Sequence, residues 1–404
     1  MKIVLAYSGG LDTSVALKWL QDKYSAEVIA FCANIGQFEP LDTIGSKAKQ
    51  IGASKVYIED LREEYLREYV FKALKANVVY EGQYLLAAPL GRPLIAKRLV
   101  EIAQQEKANA VAHGATGKGN DQVRFYCSIA ALNPDLQIIA PVIEWEMKSR
   151  DDEIEYARTH NIEIAVSAAK PYSIDTNIWG TSIECGVLDN IKLPPPNEVY
   201  QITTSPLLAP DEPHDVCIGF EQGIPVSLDG KVIPPIQLVS ELNTLGSKHG
   251  VGRIDILENR VVGIKTRGIY ESPAGAILHF AHKELENLVL DRDLLHYKAQ
   301  VAQQYSELVY YGLWFSPLRE ALDVFVGYTQ SRVNGYITLR LYKGNLIVLS
   351  RDSEYAMYDH SLSTYDVEDQ FDHKAGHGFS YIWSMPLRVK SKTDLRWDLS
   401  RVNQ

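Results

Sequence analysis

The chain is 404 residues long, 46% hydrophobic and 23% charged, the proportions of a water-soluble globular protein. That length exceeds one ordinary core, so two domains with an appended tail are expected, and no apolar run or leader-like N-terminus points away from the cytoplasm or towards a membrane. Its 41 Lys and Arg against 51 Asp and Glu leave a formal charge of −10, which argues against broad nucleic-acid binding.

The run Lys2-Ile3-Val4-Leu5-Ala6-Tyr7 predicts a buried strand over 2–7. A helix follows from near Asp12 to about Tyr24, carrying Val15, Ala16, Leu17, Trp19 and Leu20. Glu27 to Ala33 reads as a second strand, 41–52 as a helix and 55–58 as a third strand. Residues 61–79 and 93–106 read as helices. A strand over 109–113, a helix over 120–132, a strand over 136–140 and a helix over 151–159 complete the series. Such alternation predicts an α/β domain with a doubly wound parallel sheet, whose ligands bind beyond the carboxyl ends of the strands.

The pattern changes at 170–196, which holds few periodic apolar runs and ends in Pro194-Pro195-Pro196. Short strands are expected at 199–203, 214–220 and 224–228, and helices at 234–248, 275–288, 293–311 and 317–330. Paired strands at 334–342 and 344–350 turn at Lys343-Gly344-Asn345. This reads as an α+β domain. Beyond about 360 the chain is polar and Gly/His-rich, then basic, and reads as either an arm packing on a neighbour or a mobile terminus.

Two loops carry chemistry. Ser8-Gly9-Gly10-Leu11-Asp12-Thr13-Ser14 joins the first strand to the first helix and offers backbone N–H groups and three hydroxyls at a helix N-terminus, an anion site. It lacks the Gly-Lys-Ser/Thr ending of a Walker loop, so no lysine clamp is implied. Asp12 reads equally well as a ligand for Mg²⁺ or as the helix N-terminal cap, with a favourable dipole interaction. The second loop, His113-Gly114-Ala115-Thr116-Gly117-Lys118-Gly119-Asn120-Asp121-Gln122-Val123-Arg124-Phe125, opens on the same sheet edge. Arg124 suits a carboxylate and Asp121 an ammonium, a match to an amino acid, although Asn120 or Asp121 could instead cap the helix. His113 reads as packing, and Tyr310-Tyr311 as core or subunit contact. The cysteines Cys32, Cys127, Cys185 and Cys217 form no C-x-x-C pair, and the histidines show no H-E-x-x-H spacing.

The loop over 8–14 resembles the pyrophosphate loop of ATP pyrophosphatases. Together with His113 to Phe125, the motif over 170–186 (KPYSIDTNIWGTSIECG), that over 250–260 (GVGRIDILENR) and that over 265–275 (KTRGIYESPAG), the chain resembles the argininosuccinate synthase family over about 1–350. The resemblance implies an adenine nucleotide α-hydrolase-like domain over 1–168, a synthetase domain over 169–360 and an oligomerisation arm over 361–404 in a homotetramer. It implies ATP-dependent ligation of L-citrulline to L-aspartate through a citrullyl-adenylate, a step of arginine biosynthesis or the urea cycle. ATP would meet Ala6, Tyr7, Ser8, Gly9, Gly10, Leu11, Asp12, Thr13, Ser14, Ala33 and Gly114. Aspartate would meet Thr116, Asn120 and Asp121; citrulline would meet Tyr84, Asn120, Arg124, Ser173, Ser182, Glu258 and Tyr270. Asp12, Asp121 and Arg124 would carry the catalytic duties, with Asp121 as the nearest acceptor for the aspartate amine's proton. The family commonly has a Thr or Ser before the Arg-Pro at 92–93; Ala88 and Pro89 offer no hydroxyl, so weaker citrulline binding is expected. On the loop alone, a tRNA-acting enzyme and a non-catalytic nucleotide sensor remain alternatives.

Overall fold

A computed structural model describes residues 1–163 and 172–402. The expected boundary at 168/169 lies outside the described residues, as do Lys170 and Pro171. The chain divides into two compact units, Met1–Tyr355 and Ala356–Gln404.

The first unit begins with β1 (Lys2–Ala6), α1 (Leu11–Tyr24), β2 (Glu27–Asn34), α2 (Leu41–Ile51) and β3 (Lys55–Asp60). A broken helical run follows: α3 (Arg62–Glu64), a π-helical stretch over Tyr65–Val70, and α4 (Phe71–Lys75). Then come α5 (Ala87–Gln105), β4 (Ala110–Ala112), α6 (Asn120–Leu132), β5 (Gln137–Ile139), α7 (Pro141–Glu144) and α8 (Arg150–Thr159). The five strands form one parallel sheet in the order β3-β2-β1-β4-β5. Side chains of β1 alternate between faces: Ile3 and Leu5 join the core of Val15, Leu17 and Leu20, whereas Val4 joins that of Leu90 and Leu94. Both faces are therefore covered, as a parallel sheet requires. Strand order reverses between β1 and β4, so their carboxyl ends flank the crevice where this architecture binds ligands.

The unit continues with β6 (Ser173–Asn177), β7 (Gly180–Glu184), β8 (His214–Glu221), β9 (Ile224–Leu228), β10 (Lys231–Val232) and α9 (Pro235–Lys248). The hairpin of β11 (Arg253–Asn259) and β12 (Lys265–Glu271) leads to α10 (Pro273–Val289), α11 (Arg292–Tyr310) and α12 (Pro317–Thr329). The paired strands β13 (Gly335–Tyr342) and β14 (Asn345–Asp352) end it. Two antiparallel sheets result, β11-β12-β7-β6 and β10-β9-β8-β13-β14.

Departures from the sequence expectation have physical causes, some local and some distant in the chain. The helix expected over 61–79 stops at Lys75, and Asn77 turns the chain at φ 53°. The helix expected from 93 begins at Ala87, because Pro89 falls in the first turn, where its missing N–H has no intrahelical acceptor to lose. No strand forms at 199–203: the N–H groups of Gln201, Ile202 and Thr203 donate to the buried Glu271 carboxylate at 2.6, 3.2 and 2.8 Å. A carboxylate thus replaces a strand neighbour. The β6–β7 hairpin went unpredicted because Ser173-Ile174-Asp175-Thr176-Asn177 carries one apolar residue.

The second unit is helical: α13 (His360–Ser363), α14 (His373–Trp383) and α15 (Met385–Val402). Asp372 caps α14 by accepting from Lys374 and Ala375 N–H groups. Phe379, Ile382 and Trp383 are 63%, 65% and 73% exposed, an apolar surface on α14.

Candidate active site

The pyrophosphate-type loop leaves β1 at Ala6 and enters α1 at Leu11. Gly9 lies at φ 80°, and Gly10 is the N-cap, with no side-chain cap. Asp12 is therefore not the cap; it sits exposed in the first turn. The hydroxyls are tied together: Ser8 Oγ lies 3.0 Å from Thr13 Oγ1, and Tyr7 Oη 3.1 Å from Ser14 Oγ. Ala33 ends near the same edge on β2, its carbonyl accepting from Gln37 Nε2 at 2.8 Å. A Cβ on Gly114 would sit 2.8 Å from Thr13 Cγ2, so the second loop closes directly onto the first.

Two features here were missed in the sequence. Lys47 reaches from α2 and donates to the Gly9 carbonyl at 2.8 Å. The pKa of Glu153, on α8, is pushed up to about 8 by burial and by the neighbouring Asp12 carboxylate, and its buried Oε2 has no hydrogen-bond partner among the described residues. An orphaned carboxylate oxygen beside a second carboxylate suits Mg²⁺, which takes one or two protein carboxylates together with substrate phosphates.

The second loop is anchored by His113, whose Nδ1 accepts from the Ala115 N–H at 3.3 Å and whose ring stacks on Phe125 at 5.1 Å. Burial pulls the His113 pKa down to about 4, so the ring is neutral with its proton on Nε2. The N-cap of α6 is Gly119, not Asn120 or Asp121, and the Thr116 carbonyl accepts from its N–H at 3.1 Å. Asn120 and Asp121 are thereby released for other partners. Asn120 accepts from Val261 N–H at 3.0 Å and donates to Tyr310 Oη at 2.8 Å. Asp121 accepts from Arg92 Nε on one oxygen and Arg124 Nη1 on the other, both at 2.8 Å. Burial opposes its charge, yet the two guanidiniums hold its carboxyl far below the usual range.

Arg124 is 4% exposed. Its Nε donates to the Tyr310 carbonyl at 2.9 Å, and its guanidinium lies 4.9 Å from the Tyr310 ring centre. Arg92 also pairs with Asp175 of β6, joining the nucleotide-side helices to the β11-β12-β7-β6 sheet. Tyr310 is core, as expected, but it also holds Asn120 and Arg124 and stacks on Tyr80 at 3.6 Å.

That sheet carries the remaining candidates. Asp175, Ser182 and Tyr270 occupy one row across β6, β7 and β12. Gly268 has no Cβ to meet Tyr270, whose ring would lie 2.8 Å from it, so Tyr270 lies down along its strand and donates to Glu258 Oε1 at 2.5 Å. Tyr84 stacks on Tyr270 at 3.8 Å. Glu258 is 2% exposed, burial raises its pKa, and its Oε2 has no partner among the described residues. Arg260 pairs with Glu184 at 2.5 Å and donates to the Lys118 carbonyl at 3.2 Å, holding the Gly-rich loop against the sheet. Tyr84, Asn120, Arg124, Glu258 and Tyr270 thus form one cluster around Tyr310. Ser173 lies apart at the exposed start of β6, opposite Glu184.

Residues 2–163 match the family described as "Arginosuccinate synthase N-terminal HUP domain", and 172–390 match "Arginosuccinate synthase C-terminal domain". The chain is 56% identical over 388 residues to the argininosuccinate synthase of Rhodococcoides fascians, covering 96% of this chain and 98% of that one. It is 52% identical over 391 residues to that of Pelodictyon phaeoclathratiforme, covering 97% and 98%. It is 51% identical over 392 residues to that of Carboxydothermus hydrogenoformans, again covering 97% and 98%.

Proposed function

The chain belongs to the argininosuccinate synthase family of ligases, and on that premise we propose that its site joins L-citrulline to L-aspartate with ATP, releasing AMP and pyrophosphate. The citrulline ureido oxygen attacks the α-phosphorus of ATP, and the bond from that phosphorus to the bridging oxygen breaks. Pyrophosphate leaves with the electron pair. The aspartate amine then attacks the activated carbon, and AMP leaves carrying the former ureido oxygen. The chain's task is to position charged reactants and stabilise charge on phosphate oxygens.

The loop N–H groups over Ser8 to Ser14 receive the phosphates, with Ala6, Ala33 and Gly114 along the nucleotide crevice. Mg²⁺, held by Asp12 and Glu153, would neutralise phosphate charge. Thr116, Asn120 and Asp121 take aspartate. Asp121 holds the ammonium with its remaining lone pairs; two arginines make it too weak a base to take the amine's proton. Arg124, Tyr84, Ser182, Glu258 and Tyr270 take citrulline, with Glu258 Oε2 free to accept a ureido N–H. Ser173 would meet citrulline only at the rim. A homotetramer, assembled through the arm over 361–404, and a cytoplasmic location belong to the same reading.

The observation that carries the proposal is the direct closure of Gly114 onto Thr13, which brings the phosphate loop and the doubly clamped Asp121 into one crevice. ATP–pyrophosphate exchange with each amino acid alone tests it. Exchange is expected with citrulline and without aspartate; exchange that ignores citrulline, or is absent with it, overturns the proposed order.

A further inference from the structure

The loop over 8–14 has no lysine of its own, yet the fold delivers one from another element. Lys47 stands one helical turn after Ile44 on α2, and both side chains meet Gly9. A Cβ on Gly9 would lie 3.0 Å from Ile44 Cγ1, and Lys47 Nζ donates to the Gly9 carbonyl at 2.8 Å. We propose that Lys47 is the cationic contact for the departing pyrophosphate, supplied from α2 in place of a Walker-type lysine.

Three observations support this. First, the ammonium has three N–H donors, and the described residues engage one of them. Second, no carboxylate among the described residues lies within ion-pair distance of it; Glu163 acts on it only through space. A half-buried ammonium is stabilised by an anion, and burial already lowers its pKa. Third, its hydrogen bond ties the Gly9 peptide of the loop to α2, and Ser14 Oγ lies 3.5 Å from the same carbonyl oxygen. Donors of the chain thus occupy that carbonyl oxygen, which would otherwise repel phosphate oxygens beside the loop. Lys47 therefore acts twice, fixing the Gly9 peptide and placing a positive charge beside the loop. As the bond to the α-phosphorus breaks, negative charge builds on the β-phosphate, and the ammonium stabilises that charge more than it stabilises bound ATP.

This inference rests on the reading of the loop as a pyrophosphate site. The test uses the full-length protein, with inorganic pyrophosphate as the probe in calorimetric titration, alongside steady-state kinetics for all three substrates. Lys47→Gln keeps an N–H donor and removes the charge; Lys47→Arg keeps the charge. Lys47→Gln is expected to weaken pyrophosphate binding and raise the ATP KM by about 10- to 100-fold, and to lower kcat. The KM values for citrulline and aspartate stay within about twofold, and Lys47→Arg recovers most of the pyrophosphate affinity. The salt dependence of pyrophosphate binding becomes shallower in Lys47→Gln. Wild-type protein that binds no pyrophosphate, a Lys47→Gln protein that binds it as wild type does, or Lys47→Arg as impaired as Lys47→Gln overturns the inference. Wild-type protein that binds pyrophosphate without citrulline-dependent exchange overturns the proposed function alone.

Discussion

Arg92 grips Asp121 in the first turn of α6, with Nε 2.8 Å and Nη2 2.7 Å from the same carboxylate oxygen. The same guanidinium pairs with Asp175 on β6, so one residue of α5 fixes both a nucleotide-side loop and the sheet that faces it.

Replacing Arg92 should therefore loosen the aspartate site while sparing the phosphate loop. Arg92→Gln leaves Asp175 without its arginine and Asp121 with Arg124 alone; both carboxylates are partly exposed, so the stability cost is on the order of 1 kcal/mol. The aspartate KM rises about tenfold or more, whereas the ATP KM stays within about twofold. Arg92→Lys retains the charge but not the fork, and recovers only part of the loss. Steady-state kinetics with each substrate varied in turn, together with urea unfolding, read both effects.

His113 makes a pH prediction. Its folded pKa, near 4, lies below the ordinary histidine value, so the unfolded chain binds a proton that the folded chain refuses. Stability is unaffected above about pH 6.5 and falls as pH drops towards 4, by about 3 kcal/mol for this group. His113→Asn keeps an acceptor for the Ala115 N–H and loses the titration. The difference between the two proteins' urea midpoints, followed from pH 7 to pH 4, should narrow as wild type loses stability faster.

Ala88 and Pro89 lie buried in the first turn of α5, close in sequence to Tyr84 of the citrulline cluster. Neither offers a hydroxyl. Ala88→Thr restores one and is expected to lower the citrulline KM by about 2- to 10-fold, with kcat and the ATP KM unchanged. An unchanged citrulline KM would mean that its carboxylate finds its hydrogen bonds elsewhere.

The exposed aromatic face of α14 predicts that the tail assembles the enzyme. Sedimentation of the full chain should give a tetramer, and a chain ending at Tyr355 should sediment as a smaller species that stays folded. A truncated tetramer would assign the assembly to the first unit.

Much of this was legible in the residues. The parallel sheet announced itself because its strands are apolar and each is followed by a helical period, and the glycines at 9, 10, 114, 117 and 119 marked both loops. What stayed hidden depended on distant partners. Arg92 reads as an ordinary helix residue until α6 and β6 bring Asp121 and Asp175 to it. Lys47 lies in a polar helix whose orientation is set by Ile44 against Gly9. Residues 201–203 look like a strand because nothing local reveals that Glu271, far along the chain, will accept their N–H groups. The β6–β7 hairpin has too few apolar residues for its period to be seen.

In the proposed reaction, the crevice between the two loops activates the ureido oxygen of citrulline by adenylation. Citrulline carrying oxygen-18 in its ureido group, turned over with ATP and aspartate, tests it directly by mass spectrometry of the products. One labelled oxygen is expected in AMP and none in pyrophosphate. Unlabelled AMP, or label in pyrophosphate, would contradict it.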